Sequence, residues 1–152
     1  MRARSILAAL ALLISLPGPP LASASSPFVI FFDSNDAGLD ETDRAILDNA
    51  AAALEQTGNS VILVGHADRA GDAAHNHTLA CRRARAVRSY LLSRGFPAER
   101  TAVQSAGEDW RLVETADGVA EPQNRSVWFE MTERPLVPAD GMDEGRCVPY
   151  RR

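Results

Sequence analysis

Val61-Ile62-Leu63-Val64 is a short apolar run halted by Gly65, and it lies between two stretches of helical periodicity. That placement constrains the fold more than any other feature. A brief apolar run bounded by turn residues reads as a buried strand. Upstream, Phe28-Val29-Ile30-Phe31-Phe32 is a second run of the same kind. Between the two, Asp40 is placed to cap a helix, with acids in its first turn. Ile46, Leu47, Ala50, Ala53 and Leu54 form the apolar stripe, and Gly58 ends it. Downstream of Gly65, a small polar loop over Ala67 to Asn76 leads into a second helix, expected from about Thr78 to Arg94. Ala80, Ala84, Val87 and Leu91 fall at helical spacing there, and Gly95 and Pro97 close it. Thr101 to Ser105 is a third strand. A loop with turn signals covers Gly107 to Pro122. Ser126 to Met131 alternates, with Val127, Phe129 and Met131 on one face, as a half-buried fourth strand does.

The order β-α-β-α-β-β predicts an α/β (α+β) two-layer sandwich. The two β-α-β crossovers require parallel strands with right-handed connections, so both helices cover one face of a mixed sheet whose last pair is antiparallel. From Thr132 onward the chain holds three prolines and two glycines and shows no periodicity, so residues 132–152 read as a tail.

The N-terminus reads as an export signal. Arg2 and Arg4 form a positive start, Ile6 to Leu16 is apolar, Pro17 to Pro20 break the run, and Ala22-Ser23-Ala24 is a small-residue cleavage site. The run is too short to span a hydrocarbon layer of roughly 30 Å as a helix. Cleavage is expected after Ala24, leaving a domain over residues 25–131 with no membrane span. No cysteine adjoins the cut, so no acyl anchor is expected. Losing Arg2 and Arg4 takes the formal charge from −4 to −6, which disfavours nucleic acid as a partner. Export also places Cys81 and Cys147 in an oxidising compartment. A bridge between them would staple the tail to the second helix and stabilise the fold by on the order of 3–4 kcal/mol.

The stretch Gly65 to Val87 concentrates the chemistry. Asp68 follows the second strand, and Arg83 lies more than one turn into the second helix, so the two can face one crevice. An acid and an arginine opposed across a cleft can hold an ammonium and a carboxylate; the same two residues can equally form a plain salt bridge. His66, Asp68, His75 and His77 supply metal-ligand types, but without an H-E-x-x-H or C-x-x-C spacing, and no metal or other cofactor is expected. Cys81 has arginine neighbours that would favour a thiolate, yet its helix position and the second cysteine favour a structural bridge over a nucleophile. Arg82, Arg85 and Arg88 read as a solvated helix face, and Trp110 and Trp128 as packing residues.

Five motifs in order carry a resemblance. They are Phe31-Phe32-Asp33-Ser34-Asn35 with Leu39, Gly65-His66-Ala67-Asp68, Asn76-x-x-Leu79-x-x-x-Arg83-Ala84, Ala106-Gly107-Glu108, and Asn124-Arg125-x-Val127. Together, over about residues 28 to 131, the chain resembles the OmpA-like peptidoglycan-binding domain. The resemblance implies a non-enzymatic, periplasmic protein associated with the outer membrane or cell wall. Its expected partner is peptidoglycan, held non-covalently through the diaminopimelate of the stem peptide. It implies Asp68 as the partner of the ligand's ammonium and Arg83 as that of its carboxylate. Asn35, Ser34 and Asn76 become supporting contacts, and Arg125 flanks the site. The sequence departs from the family pattern at Ala67, Ala80, Ala106 and Ser126, which bears on affinity and stem-peptide selectivity. The alternative is a protein-interaction module on the same fold, meeting an envelope protein through a degenerate site.

Overall fold

A computed structural model describes residues 28–133, 136 and 146–151. The export signal over residues 1–24, its cleavage after Ala24, and most of the tail lie outside the described residues. In chain order the elements are β1 (Val29–Phe31), α1 (Glu41–Thr57), β2 (Ser60–His66), α2 (Ala73–Ser93), β3 (Thr101–Gly107), β4 (Ser126–Thr132) and β5 (Cys147–Pro149). They form one sheet in the order β1-β4-β2-β3-β5. β4 lies antiparallel between β1 and β2, and β2 and β3 are parallel. β1 and β2 therefore run in the same direction, as a crossover through α1 requires.

Local chemistry sets the helix ends. Asp40 accepts from the Asp43 backbone N–H at 2.8 Å, and Asp43 accepts in return from the Asp40 N–H at 3.0 Å, a reciprocal cap on α1. Gly58 ends α1 at φ 71°, a left-handed turn that glycine adopts without steric cost. α2 begins at Ala73, earlier than the Thr78 expected, because Asp72 caps it through the His75 N–H at 2.9 Å. The apolar stripe starts only at Leu79, so hydrophobic periodicity is silent over that first turn.

Leu47, Ala50 and Leu54 of α1 and Ala84, Val87 and Leu91 of α2 share one core with Ile30, Val61, Leu63, Val103, Val127 and Phe129 of the sheet. Full burial of a side chain such as Leu54 contributes about 2 kcal/mol. The packing of α2 on β2 is closest at Gly65. A Cβ there would stand 2.0 Å from the Ala80 carbonyl oxygen, so only glycine admits this approach.

The tail contributes a strand that the sequence pattern does not announce. Cys81 and Cys147 form a disulfide with Cα atoms 5.8 Å apart. β5 pairs parallel with β3, setting Val103 opposite Cys147 and Gln104 opposite Val148. Just beyond, the Tyr150 N–H donates to the Ser105 carbonyl at 2.8 Å, its hydroxyl donates to Glu130, and its ring meets Trp110 edge-on. Among the described residues no helix is long and apolar enough to cross a membrane.

Candidate functional site

The C-terminal ends of β1 and β2, the N-termini of α1 and α2, and the approach to β4 meet at one end of the sheet. Arg83 sits behind this junction with no exposed surface. Its Nε donates to the Asp36 carbonyl at 2.8 Å, Nη1 to the His66 carbonyl at 3.0 Å and Nη2 to the Asp33 carbonyl at 2.9 Å. One side chain on α2 thus ties the loop after β1 to the end of β2, and its guanidinium also lies over the Phe32 ring. Burial pushes the Arg83 pKa down to about 10, with the nearby Asp68 charge opposing the shift, so the group is cationic at neutral pH.

Asp68 is buried, and its ion pair is with Arg125. Arg125 Nη1 lies 3.2 Å from Asp68 Oδ2, which also accepts from the Glu121 N–H at 3.2 Å. Arg125 is itself aimed by the edge strand: its Nε donates to the Phe32 carbonyl at 3.0 Å, and its own carbonyl accepts from the Phe32 N–H at 2.8 Å. Arg125 lines a cavity of about 570 Å³ together with Phe31, Phe32, Leu39, Pro122 and the acids Asp33, Asp36, Asp40 and Asp43. The Asp36 carboxyl is held below its ordinary range by the Gly38 and Ala37 N–H groups it accepts from.

The remaining sequence-predicted residues spread around this centre. Ser34 and Asn35 are exposed on the loop after β1, where Asn35 adopts φ 54° and its Oδ1 lies 2.9 Å from His75 Nε2. Asn76 is buried in the first turn of α2 and donates to Glu108 at 2.6 Å, so it shapes a loop in this structure. The three histidines turn to separate partners: His66 to the Trp110 carbonyl, His75 to Asn35, and His77 toward the Cys81 sulfur at 3.9 Å. Among the described residues no group of His, Cys, Asp and Glu side chains is arranged to hold a metal ion.

Residues that frame the site without announcing themselves lie on or beside the loop over 108–121. Buried Asn124 accepts from the Leu112 and Val113 N–H groups at 3.0 and 2.9 Å and donates to the Val113 carbonyl at 2.8 Å. Arg69 ion-pairs with Asp117, and its carbonyl accepts from the Gly118 N–H. The only sequence signal for Asn124 is its place beside Arg125 in the last motif. Nothing in the pattern of Arg69 marks it as a loop anchor.

Comparison with known proteins agrees with this architecture. The model of the OmpA family matches residues 31–125. A peptidoglycan-associated lipoprotein of Rhizobium meliloti is 36% identical over 97 residues, covering 63% of this chain and 55% of that protein. The chain thus spans about half the length of this relative. The crystal structure of the peptidoglycan-associated lipoprotein from Burkholderia pseudomallei superposes with a TM-score of 0.64 at 23% identity, over 68% of this chain and 89% of that one. The cell wall anchor of the T6SS from Pseudomonas aeruginosa does so with a TM-score of 0.57 at 23% identity, over 66% and 76%. With the five-stranded sheet, its two helices and a family match across most of the domain, the protein belongs to the OmpA family.

Proposed function

We propose that this protein binds cell-wall peptidoglycan non-covalently, through the free amino acid end of diaminopimelate in the stem peptide, and catalyses no reaction on it. The observation that carries the reading is the buried carboxylate of Asp68, set against Arg125 with Arg83 close behind, at the edge of an open cavity. A zwitterion needs this pairing of one acid with guanidinium groups, since the carboxylate accepts from an ammonium and the planar fork receives a carboxylate. Ser34 and Asn35 on the exposed loop add polar contacts, and Asn76 shapes the wall. The names of the relatives, a peptidoglycan-associated lipoprotein and a cell wall anchor, support the ligand class. An exported, periplasmic location follows from the leader-like N-terminus and fits a chain with a disulfide.

Purified sacculi test the proposal. The protein is expected to sediment with sacculi and to be released by free diaminopimelate. Asp68→Ala is expected to abolish sedimentation while its circular dichroism spectrum is unchanged. A wild type that fails to sediment with sacculi would refute the reading and favour an interaction module for an envelope protein, and sedimentation that survives both the competitor and Asp68→Ala would refute the assignment to this site.

A further inference from the structure

We propose that the Cys81–Cys147 disulfide is a site of thiol–disulfide exchange in the folded protein: the thiolate of a dithiol attacks Cys147 Sγ, Cys81 leaves as a thiolate assisted by His77, and β5 is released from the edge of β3.

Access selects the sulfur that is attacked, since exchange proceeds only where a thiolate can reach the bond. Cys81 lies within α2 and is 7% exposed. Cys147 is half-buried on the edge strand, with Arg146 and Pro149 exposed on either side of Cys147-Val148. A thiolate arriving from solvent meets Cys147 first, and the charge of Arg146 favours its approach.

The surroundings of Cys81 suit a leaving group. His77, Cys81 and Arg85 stand one turn apart along α2 and so share one row of the helix. His77 Nε2 lies 3.9 Å from Cys81 Sγ. That turn is fixed to β3, because Ser105 Oγ donates to the His77 carbonyl at 3.1 Å. An imidazole N–H on one side and a guanidinium charge on the other both favour a departing thiolate, and a better leaving thiolate makes exchange faster.

The bonds balance over two steps. The Cys81–Cys147 bond breaks as a bond forms between Cys147 and the first sulfur of the dithiol. The second sulfur, as a thiolate, then attacks the first and expels Cys147, which takes a proton from water. The dithiol leaves as its own disulfide, and its two electrons remain on Cys81 and Cys147. β5 is then held only by its pairing with Val103, Gln104 and Ser105 and by the contacts of Tyr150. A strand of three residues is too short to persist on these once the tether between positions 66 apart is gone.

The oxidised, full-length protein tests this without a variant. Brief exposure to glutathione, then N-ethylmaleimide and peptide mapping, is expected to place glutathione on Cys147 and maleimide on Cys81. The reverse placement would overturn the proposal. Dithiothreitol and a protein dithiol of the Cys-x-x-Cys class, supplied separately, show whether a small or a protein reductant is admitted. The rate is expected to be independent of urea below the unfolding transition; a rate that climbs with global unfolding, or no reduction by either reagent, would overturn it. His77→Gln is expected to slow reduction by about two- to fivefold, the worth of one partly exposed polar contact to a charge, with the thermal midpoint of the oxidised protein unchanged. A merely structural His77 would give faster reduction on substitution, which would overturn the leaving-group assignment. Should His77→Gln not fold, the labelling pattern of the wild type still decides. After reduction, amide hydrogen exchange over Val103 to Ser105 is expected to accelerate at least tenfold; unchanged protection there would overturn the release of β5.

Discussion

The sheet ends in two strands of equal length held by unlike means. β1 and β5 each have three residues. β1 is secured by Ile30, fully buried in the core, and by the paired bonds between Phe32 and Arg125. β5 is secured by a disulfide to α2 and by Tyr150. The edge held by packing is also the edge that aims Arg125 and lines the cavity. The edge held covalently lies on the far side of β2 and β3 from the cavity-lining β1. The candidate site and the covalent anchor thus lie toward opposite edges of one sheet, and variants can separate them.

The largest effect is expected from removing the covalent edge. Replacing both Cys81 and Cys147 by Ser should cost on the order of 3–4 kcal/mol and lower the thermal midpoint by roughly 10 °C. Sacculus binding of the folded protein should remain; its loss would dissolve the division between edges. Ile30→Ala attacks the other edge, with a cost of about 3 kcal/mol in chemical denaturation. Unlike the cysteine pair, it should also weaken sacculus binding, because the loop after β1 moves with it.

His66 joins the two edges and gives a pH test. Its Nδ1 contacts the Trp110 carbonyl at 2.8 Å, Trp110 meets Tyr150 after β5, and its own carbonyl receives Arg83, which holds the loop after β1. Burial lowers the His66 pKa from 6.5 to about 4. The unfolded chain therefore takes up a proton that the folded chain refuses between those values. Stability is fully present above about pH 6.5, falls as the pH drops toward 4, and is lost no further by this group below it, a change on the order of 2–3 kcal/mol. Urea unfolding at pH 7, 5.5 and 4 checks this, with His66→Gln expected to show the smaller acid loss. The smallest effect is expected at Val148→Ala on β5, under about 1 kcal/mol, because the half-buried side chain there packs little and the disulfide bears the load.

The same contrast governs what could be read from the chain. β1, β2 and β4 carry apolar runs or alternation, and α1 carries an N-cap, a stripe and a terminal glycine, so each was visible. β5 was not: Cys147-Val148-Pro149 is too short for a period of two, and its proline argues against a central strand. It forms because the disulfide brings it to β3. At the site, Asp68 and Arg83 are marked by their motifs. The partnership of Asp68 with Arg125 spans 57 positions and follows only from the antiparallel seating of β4. Arg83 hides its role differently. Its partners are carbonyls, which every residue possesses, so no side-chain pattern reports them.

The parallel seating of β5 on β3 also bears on self-association. β3 is a seven-residue strand, and β5 covers its outer edge from Val103 to Ser105. Without that cover the edge offers unpaired backbone groups to any passing strand, the usual seed of edge-to-edge aggregates. The Cys81–Cys147 bond keeps the protein's own strand at high local concentration against this edge. Before that bond forms the β3 edge lacks its tethered cover, so disulfide formation bears on self-association as well as on stability.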